Sequence, residues 1–342
     1  IIRMKFYITC FFICQTLVVG CQSNLLVTLD SIIEKTKQIS MYSASVNWDS
    51  LTIRMHQKAE NAQSVEDLQP AFELMLNTLG DHHGRIMLAA NYTLIGAFTD
   101  WDNIRTKDTR EKDMDTWKIV NDTAAKFEYA ILPNNIGYLK IMGIGPWVDM
   151  QVEATKIRAA LSEMYNKNIE HWIIDLRYNA GGNMNPMVAG IAPLIGDGIV
   201  GYLTDVNHNI LFEWEINQGN FIYDSVKAID LPNQPQIKTN PKVAVLTSRW
   251  TTSSGEVVAT TLKGRDNTRF FGEATGGFAT NVSWEVINEE ILLLISTGVY
   301  TDRNKIAYTI NIPVDVELPF VIEKNISNDI GVTTAIKWLL EE

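Results

Sequence analysis

"KVAVLTSRWTTSSGEVVATTLKG", residues 242–264, decides how this chain is read. "KVAVLTS" is a near-continuous apolar run of the kind a strand buried on both faces requires. After a turn, a helix starts near Ser253. Five hydroxyls, those of Ser248, Thr251, Thr252, Ser253 and Ser254, crowd the junction. One reading is local: Ser253-Ser254-Gly255-Glu256 fits the S-x-x-E capping box, with Ser253 as N-cap and Glu256 folding back. The other is chemical. A rigid strand end followed by a helix N-terminus can present a nucleophile and stabilise a developing oxyanion. The stretch is not G-x-S-x-G, so a lipase-type elbow is not indicated. On its own it leaves both readings open.

Two neighbouring patterns have the same strand-then-turn form. "IIDLRYNAGGN" (173–183) ends a buried strand in Gly181-Gly182, which can turn with φ > 0 and direct N–H groups outward, or simply connect strand to helix. It lacks G-x-G-x-x-G spacing and is a poor dinucleotide site. Asp175 and Arg177, two apart on one strand face, are placed to pair. "FFGEATGGFATN" (270–281) is another strand end and glycine turn.

Strands and helices alternate from about Phe127 onward. "IGYLKIMGI", "HWIIDLRYNAGG", "NEEILLLISTGVYT" and "IPVDVELPF" read as strands. "VDMQVEATKIRAALSEMYNKN", "PMVAGIAPLIG" and "NDIGVTTAIKWLLEE" read as helices, and "GYLTDVNHNILFEWEI" as a hairpin turning at Asn207-His208-Asn209. The alternation predicts an α/β core, residues 127–342, whose central sheet is covered on its faces. Residues 21–126 form a helical subdomain. In it Leu25, Leu29, Ile32, Ile33 and Ile39 share one helical face, Leu68, Phe72, Leu76 and Leu79 another, and Gly80 is a stop. Residues 100–126 are highly charged and read as a surface excursion.

The first twenty residues have the basic, apolar, small-residue order of a secretory signal. Val18-Val19-Gly20-Cys21 resembles a lipobox, which would make Cys21 the lipidated mature N-terminus and place the protein in a bacterial cell envelope. All three cysteines, Cys10, Cys14 and Cys21, lie in this segment or at its end, so the remainder has no disulfide or thiolate chemistry. The chain carries 29 basic and 40 acidic residues, a net charge of −11; without Arg3 and Lys5 the balance is 27 to 40, or −13. Such a surface repels nucleic acid and anionic lipid, leaving a lipid anchor as the means of membrane attachment. No cofactor or metal site is expected.

A serine nucleophile needs a base, and there are five histidines. His56 falls in the helical region, His171 begins a strand and His208 sits in a turn. His82 and His83 follow "LGD" on a loop. Adjacent residues point in different directions, so this is a poor metal pair; it reads as two solvated histidines or as the source of a base.

In order, "LGDHHG", "IGYLKI", "IIDLRYNAGG", "VAVLTSRWTTSSGEVVATTL", "FGEATGG" and "IPVDVEL" resemble the C-terminal processing (tail-specific) peptidases over residues 65–342. The resemblance implies a ClpP/crotonase-like α/β core and serine peptidase chemistry acting on a peptide or protein substrate. It puts the nucleophile on Ser253, and the oxyanion donors on the N–H groups of Gly181, Gly182 and Ser254. Where many members have the lysine of a Ser–Lys dyad, this chain has Phe278. The pattern therefore follows the tricorn-like branch, with His83 of "D-x-H" as base and His82 at the position of a helper serine. The helper glutamate has no clear counterpart among Tyr308, Asn311 and Asp315. The forty-odd residues between His83 and "IGYLKI" are too few for the PDZ module of many relatives. These departures equally suit a protein of the same fold that binds peptides without cutting them.

Overall fold

The computed structural model describes residues 24–97, 107–120, 127–145, 148–231 and 240–341. The signal-like segment 1–20, Cys21 and the ends of the charged segment lie outside them. Helices are α1 (24–39), α2 (Trp48–Ala59), α3 (Gln69–Leu79), α4 (Lys107–Val120), α5 (Met150–Tyr165), α6 (Met184–Ile195), α7 (Ser254–Leu262) and α8 (Ile330–Leu339). Strands are β1 (Arg85–Leu88), β2 (Thr93–Gly96), β3 (Phe127–Leu132), β4 (Ile136–Ile141), β5 (His171–Asp175), β6 (Gly198–Thr204) and β7 (Ile210–Asn217). They continue with β8 (Asn220–Tyr223), β9 (Val226–Lys227), β10 (Val243–Thr247), β11 (Thr268–Gly272), β12 (Thr280–Val286), β13 (Ile291–Asp302) and β14 (Val316–Glu317).

The chain forms two compact units. The first holds residues 24–97 together with Val282–Gly298. Its helices bury the face read from the sequence, with Leu29, Ile32, Leu68, Phe72 and Leu76 fully enclosed. Pro70 lies in the first turn of α3, and Gly80 ends the helix at φ +69°, its N–H returning to Leu76 and Asn77 carbonyls. β1 pairs antiparallel with β2 and with Ile291–Leu294 of β13.

The second unit holds the described residues of Arg105–Asn281 and Val299–Glu342. Its main sheet has the order β14-β11-β10-β5-β4-β3, parallel except for the β3 edge. Alternate residues serve its two faces. Trp172, Ile174, Val243, Val245 and Phe270 join α5, α6 and α7 in one core, which continues into β6, β7 and β8. Ile173, Ala244, Leu246 and Phe271 meet Val332, Ala335 and Leu339 of α8 on the other. The α/β expectation is met, with both faces covered as an all-apolar strand demands. Pro193 inside α6 leaves the Ala189 carbonyl without an intrahelical donor, and buried Arg158 of α5 supplies one. Within the charged segment, read as a surface excursion, the described residues 107–120 form α4, in which Thr116 and Val120 are buried.

Candidate active site

Three strands of the parallel sheet end level with one another. Leu246 of β10 pairs with Asp175 of β5, and Thr247 with Gly272 of β11. The turns that follow, 176–182, 248–253 and 273–278, are thus delivered to one edge of the sheet, its carboxyl edge, where open α/β sheets bind ligands.

Ser253 is the N-cap residue of α7 and is half-buried, with φ 51° and ψ −119°. A non-glycine residue at positive φ is strained by about 1–3 kcal/mol and persists only where its surroundings hold it. The neighbouring hydroxyls do the holding. Ser248 Oγ donates to the Arg177 carbonyl at 2.6 Å, Thr251 Oγ1 to Leu176 at 2.8 Å and Ser254 Oγ to Gly182 at 2.6 Å. They tie the serine turn to the glycine turn. Among the described residues, the Ser253 hydroxyl donates to nothing.

The capping box forms, with its strong contacts on the glutamate side. Glu256 Oε2 accepts the Ser253 N–H at 2.9 Å. The Glu256 N–H goes to the Ser253 carbonyl at 2.8 Å, and the Ser253 side chain holds no cap bond of full geometry. Glu256 also gathers the third turn: Oε1 accepts Thr275 Oγ1 at 2.6 Å and the Gly277 N–H at 3.1 Å, and Oε2 the Phe278 N–H at 2.8 Å. Burial pushes its carboxyl up to about 7, against the pull of these hydrogen bonds.

The glycine turn lies against Ser253. A Cβ on Gly181 (φ +94°) would sit 2.8 Å from Ser253 Cβ and 3.1 Å from the Ser254 nitrogen; one on Gly182 (φ +107°) would overlap the Ile144 carbonyl. Of the three expected N–H donors, that of Gly181 is engaged by Asn179 Oδ1 at 2.9 Å. No acceptor among the described residues takes the N–H of Gly182 or Ser254. Asn179, fully buried, also accepts the Thr252 N–H through its carbonyl at 2.9 Å. Its part is missed by sequence reading; an Asn two residues before paired glycines was the available signal.

Asp175 and Arg177 do pair, at 2.6 Å, and Arg177 also reaches Asp329, the N-cap of α8, at 2.9 Å. Burial opposes the Arg177 charge, but the two carboxylates outweigh it and hold the guanidinium protonated beyond its ordinary range. Tyr138 Oη donates to Asp175 at 2.7 Å. This network fixes the strand end from which the glycine turn departs.

In the first unit, the Asp81-His82-His83 loop joins α3 to β1. Asp81, fully buried, accepts the N–H groups of His83 (3.2 Å) and Gly84 (2.7 Å) and both the N–H and the hydroxyl of Ser296 (3.0 and 2.7 Å). Its carboxylate shapes the loop. His83 is half-buried and His82 exposed, and Arg85 holds the His82 carbonyl at 2.7 Å. Tyr308 donates to Asp302 and Asp315 accepts the Phe270 N–H, so both have structural partners. Among the described residues, no group of three or more His, Cys, Asp or Glu is placed to hold a metal ion.

A family model described as peptidase family S41 matches residues 135–318. The chain is 30% identical over 179 residues to the nisin-resistance protein of Lactococcus lactis subsp. lactis, covering 52% of each. It is 24% identical over 190 residues to the chloroplastic carboxyl-terminal-processing peptidase 2 of Arabidopsis thaliana, covering 54% of this chain and 33% of that one. The matches thus span about half and a third of these curated relatives. Among solved structures, a lipoprotein from Streptococcus agalactiae has a TM-score of 0.66 at 22% identity, over 92% of this chain and 96% of that one. The photosystem II D1 C-terminal processing protease has a TM-score of 0.60 at 13% identity, over 91% and 96%. At such identities these two show a shared fold.

Proposed function

The chain belongs to peptidase family S41, and from that premise we propose that it is a serine peptidase using Ser253 as nucleophile and His83 as base. Ser253 Oγ attacks the peptide carbonyl while His83 takes its proton, then returns it to the leaving amine; water releases the acyl group by the reverse path. The N–H groups of Gly182 and Ser254 receive the oxyanion, with Gly181 as the residue that lets the turn approach. Loss of one such donor typically removes about 2.7–4 kcal/mol of transition-state stabilisation.

The observation that carries this reading is the Ser253 turn. A strained serine whose hydroxyl donates to no described residue starts a buried helix, beside two backbone N–H groups that lack acceptors among the described residues. The assignment of His83 rests on the family resemblance of its loop, with His82 as the candidate helper beside it. Export and lipidation at Cys21 complete the proposal; a solved relative is described as a lipoprotein. Among the described residues no helix is long and apolar enough to cross a membrane.

The test is fluorophosphonate labelling of the full chain beside Ser253→Ala and His83→Ala, with cleavage of a peptide library and of nisin. These substrates follow the names of the curated relatives. Labelling lost in Ser253→Ala, and slowed at least a hundredfold in His83→Ala, is expected. Labelling that survives Ser253→Ala refutes the nucleophile assignment, and an unlabelled wild type points to a peptide-binding protein on the same fold.

A further inference from the structure

We propose that Glu256 is a positioning residue: its ionised carboxylate locks the Ser253 backbone and the 275–278 turn onto the first turn of α7, and its protonation releases them. The inference rests on Ser253 as the nucleophile and adds a control on that site.

The geometry calls for a carboxylate. Both oxygens are filled by donors: Oε2 takes the N–H groups of Ser253 and Phe278, and Oε1 takes the Gly277 N–H and the Thr275 hydroxyl. Thr275 Oγ1 also accepts the Ile312 N–H at 2.8 Å, so accepting a proton from Glu256 would occupy its second lone pair and leave its own hydroxyl hydrogen without this acceptor. A proton on Oε2 would face two backbone N–H donors, and one on Oε1 would displace the Gly277 N–H or turn the Thr275 hydroxyl hydrogen away. The side chain has no solvent exposure, so no water stands ready to replace a lost partner.

What the carboxylate grips is specific to the site. One partner is the backbone of Ser253 itself, the residue held at φ 51°. The others lie in the turn that would form an adjoining wall. A capping glutamate needs only the first of these contacts, so the other three are beyond what helix capping requires. The titratable group facing Glu256 from the packed elements is Tyr300 of β13, kept protonated by burial and by Glu256. The contacts from α7 and the 275–278 turn are a hydroxyl and backbone N–H groups. Among the described residues no cation pairs with it. Its proton affinity is thus set by burial against four neutral donors, which puts the change near pH 7.

The experiment follows fluorophosphonate labelling rate, backbone amide exchange and melting temperature for the full chain, as wild type, Glu256→Gln, Glu256→Asp and Thr275→Val. Glu256→Gln should slow labelling at least tenfold and speed exchange at Gly277 and Phe278 at least tenfold, with β10 unchanged. Glu256→Asp and Thr275→Val should fall between. The folded carboxyl holds its proton more tightly than the unfolded one, so wild type should gain stability relative to Glu256→Gln as pH falls from 8 to 5. Over the same range its Gly277 and Phe278 amides should exchange faster than their intrinsic rates explain. Wild-type labelling and exchange in Glu256→Gln, or a pH-independent difference in melting temperature, overturns the proposal. If Glu256→Gln does not fold, the wild-type exchange series and Thr275→Val decide alone; no excess exchange below pH 7 refutes the latch. If wild type does not label, the peptidase reading fails, and the exchange arm still judges Glu256.

Discussion

At Gly181 the demands on one backbone position can be separated from ordinary turn chemistry. Its φ of +94° disfavours any side chain, and an added Cβ would meet Ser253 Cβ at 2.8 Å and the Thr252 carbonyl at 2.9 Å. Both neighbours belong to the turn that carries the proposed nucleophile, so relief of the clash must move Ser253. Gly80 also has positive φ (+69°), with open space where a Cβ would go. Gly181→Ala is expected to lower the fluorophosphonate labelling rate at least a hundredfold with the far-UV spectrum retained. Gly80→Ala should cost about 1–2 kcal/mol in urea unfolding and leave labelling intact. Equal labelling by both variants would mean the glycine turn has no part in the chemistry.

At the scale of elements, the strand end before that turn is held by charge. Arg177 lies between Asp175, fully buried, and Asp329 at the start of α8. Arg177→Ala would leave two buried carboxylates without their cation, a loss of about 3–5 kcal/mol for a buried pair. Urea unfolding of the variant checks this, and a change within 1 kcal/mol would show that the carboxylates find other partners. Half of this network was legible: Asp175 and Arg177 sit two apart on one strand, a local pattern. Asp329 lies 152 residues further on, and no periodicity reports such a contact. The same division runs through the fold. The apolar runs of β5 and β10, the cap at Ser253 and the stop at Gly80 follow from local sequence. The return of Val282–Gly298 to the first unit does not, since "ILLLIS" specifies a strand but not its partners. Lys107–Val120, with acidic and basic residues interspersed, carries weak apolar periodicity, which hid a helix that buries Thr116 and Val120. Within the site, residue types pointed to Ser253 and the paired glycines. That Gly181 gives its N–H to Asn179 depends on side-chain geometry, which residue types do not specify.

For the whole molecule, charge and attachment make one connected expectation. The chain carries a net charge of −11, and a negative protein is repelled by anionic lipid head groups within about a Debye length, 8–10 Å at physiological salt. The net charge therefore works against electrostatic adsorption at a membrane. Among the described residues no helix is long and apolar enough to cross a membrane. The hold of the proposed lipid at Cys21 is hydrophobic, about 0.8 kcal/mol per buried methylene, so salt should weaken it little. Expressed in a bacterium with the full N-terminal sequence, the wild type is expected in the membrane fraction and to stay there through a wash in 1 M NaCl. Cys21→Ser should appear in the soluble fraction with its fluorophosphonate labelling unchanged, because the substitution lies far in sequence from the site residues. Release of the wild type by salt would assign its attachment to charge on a partner, and a membrane-bound Cys21→Ser would remove the lipid anchor from the proposal.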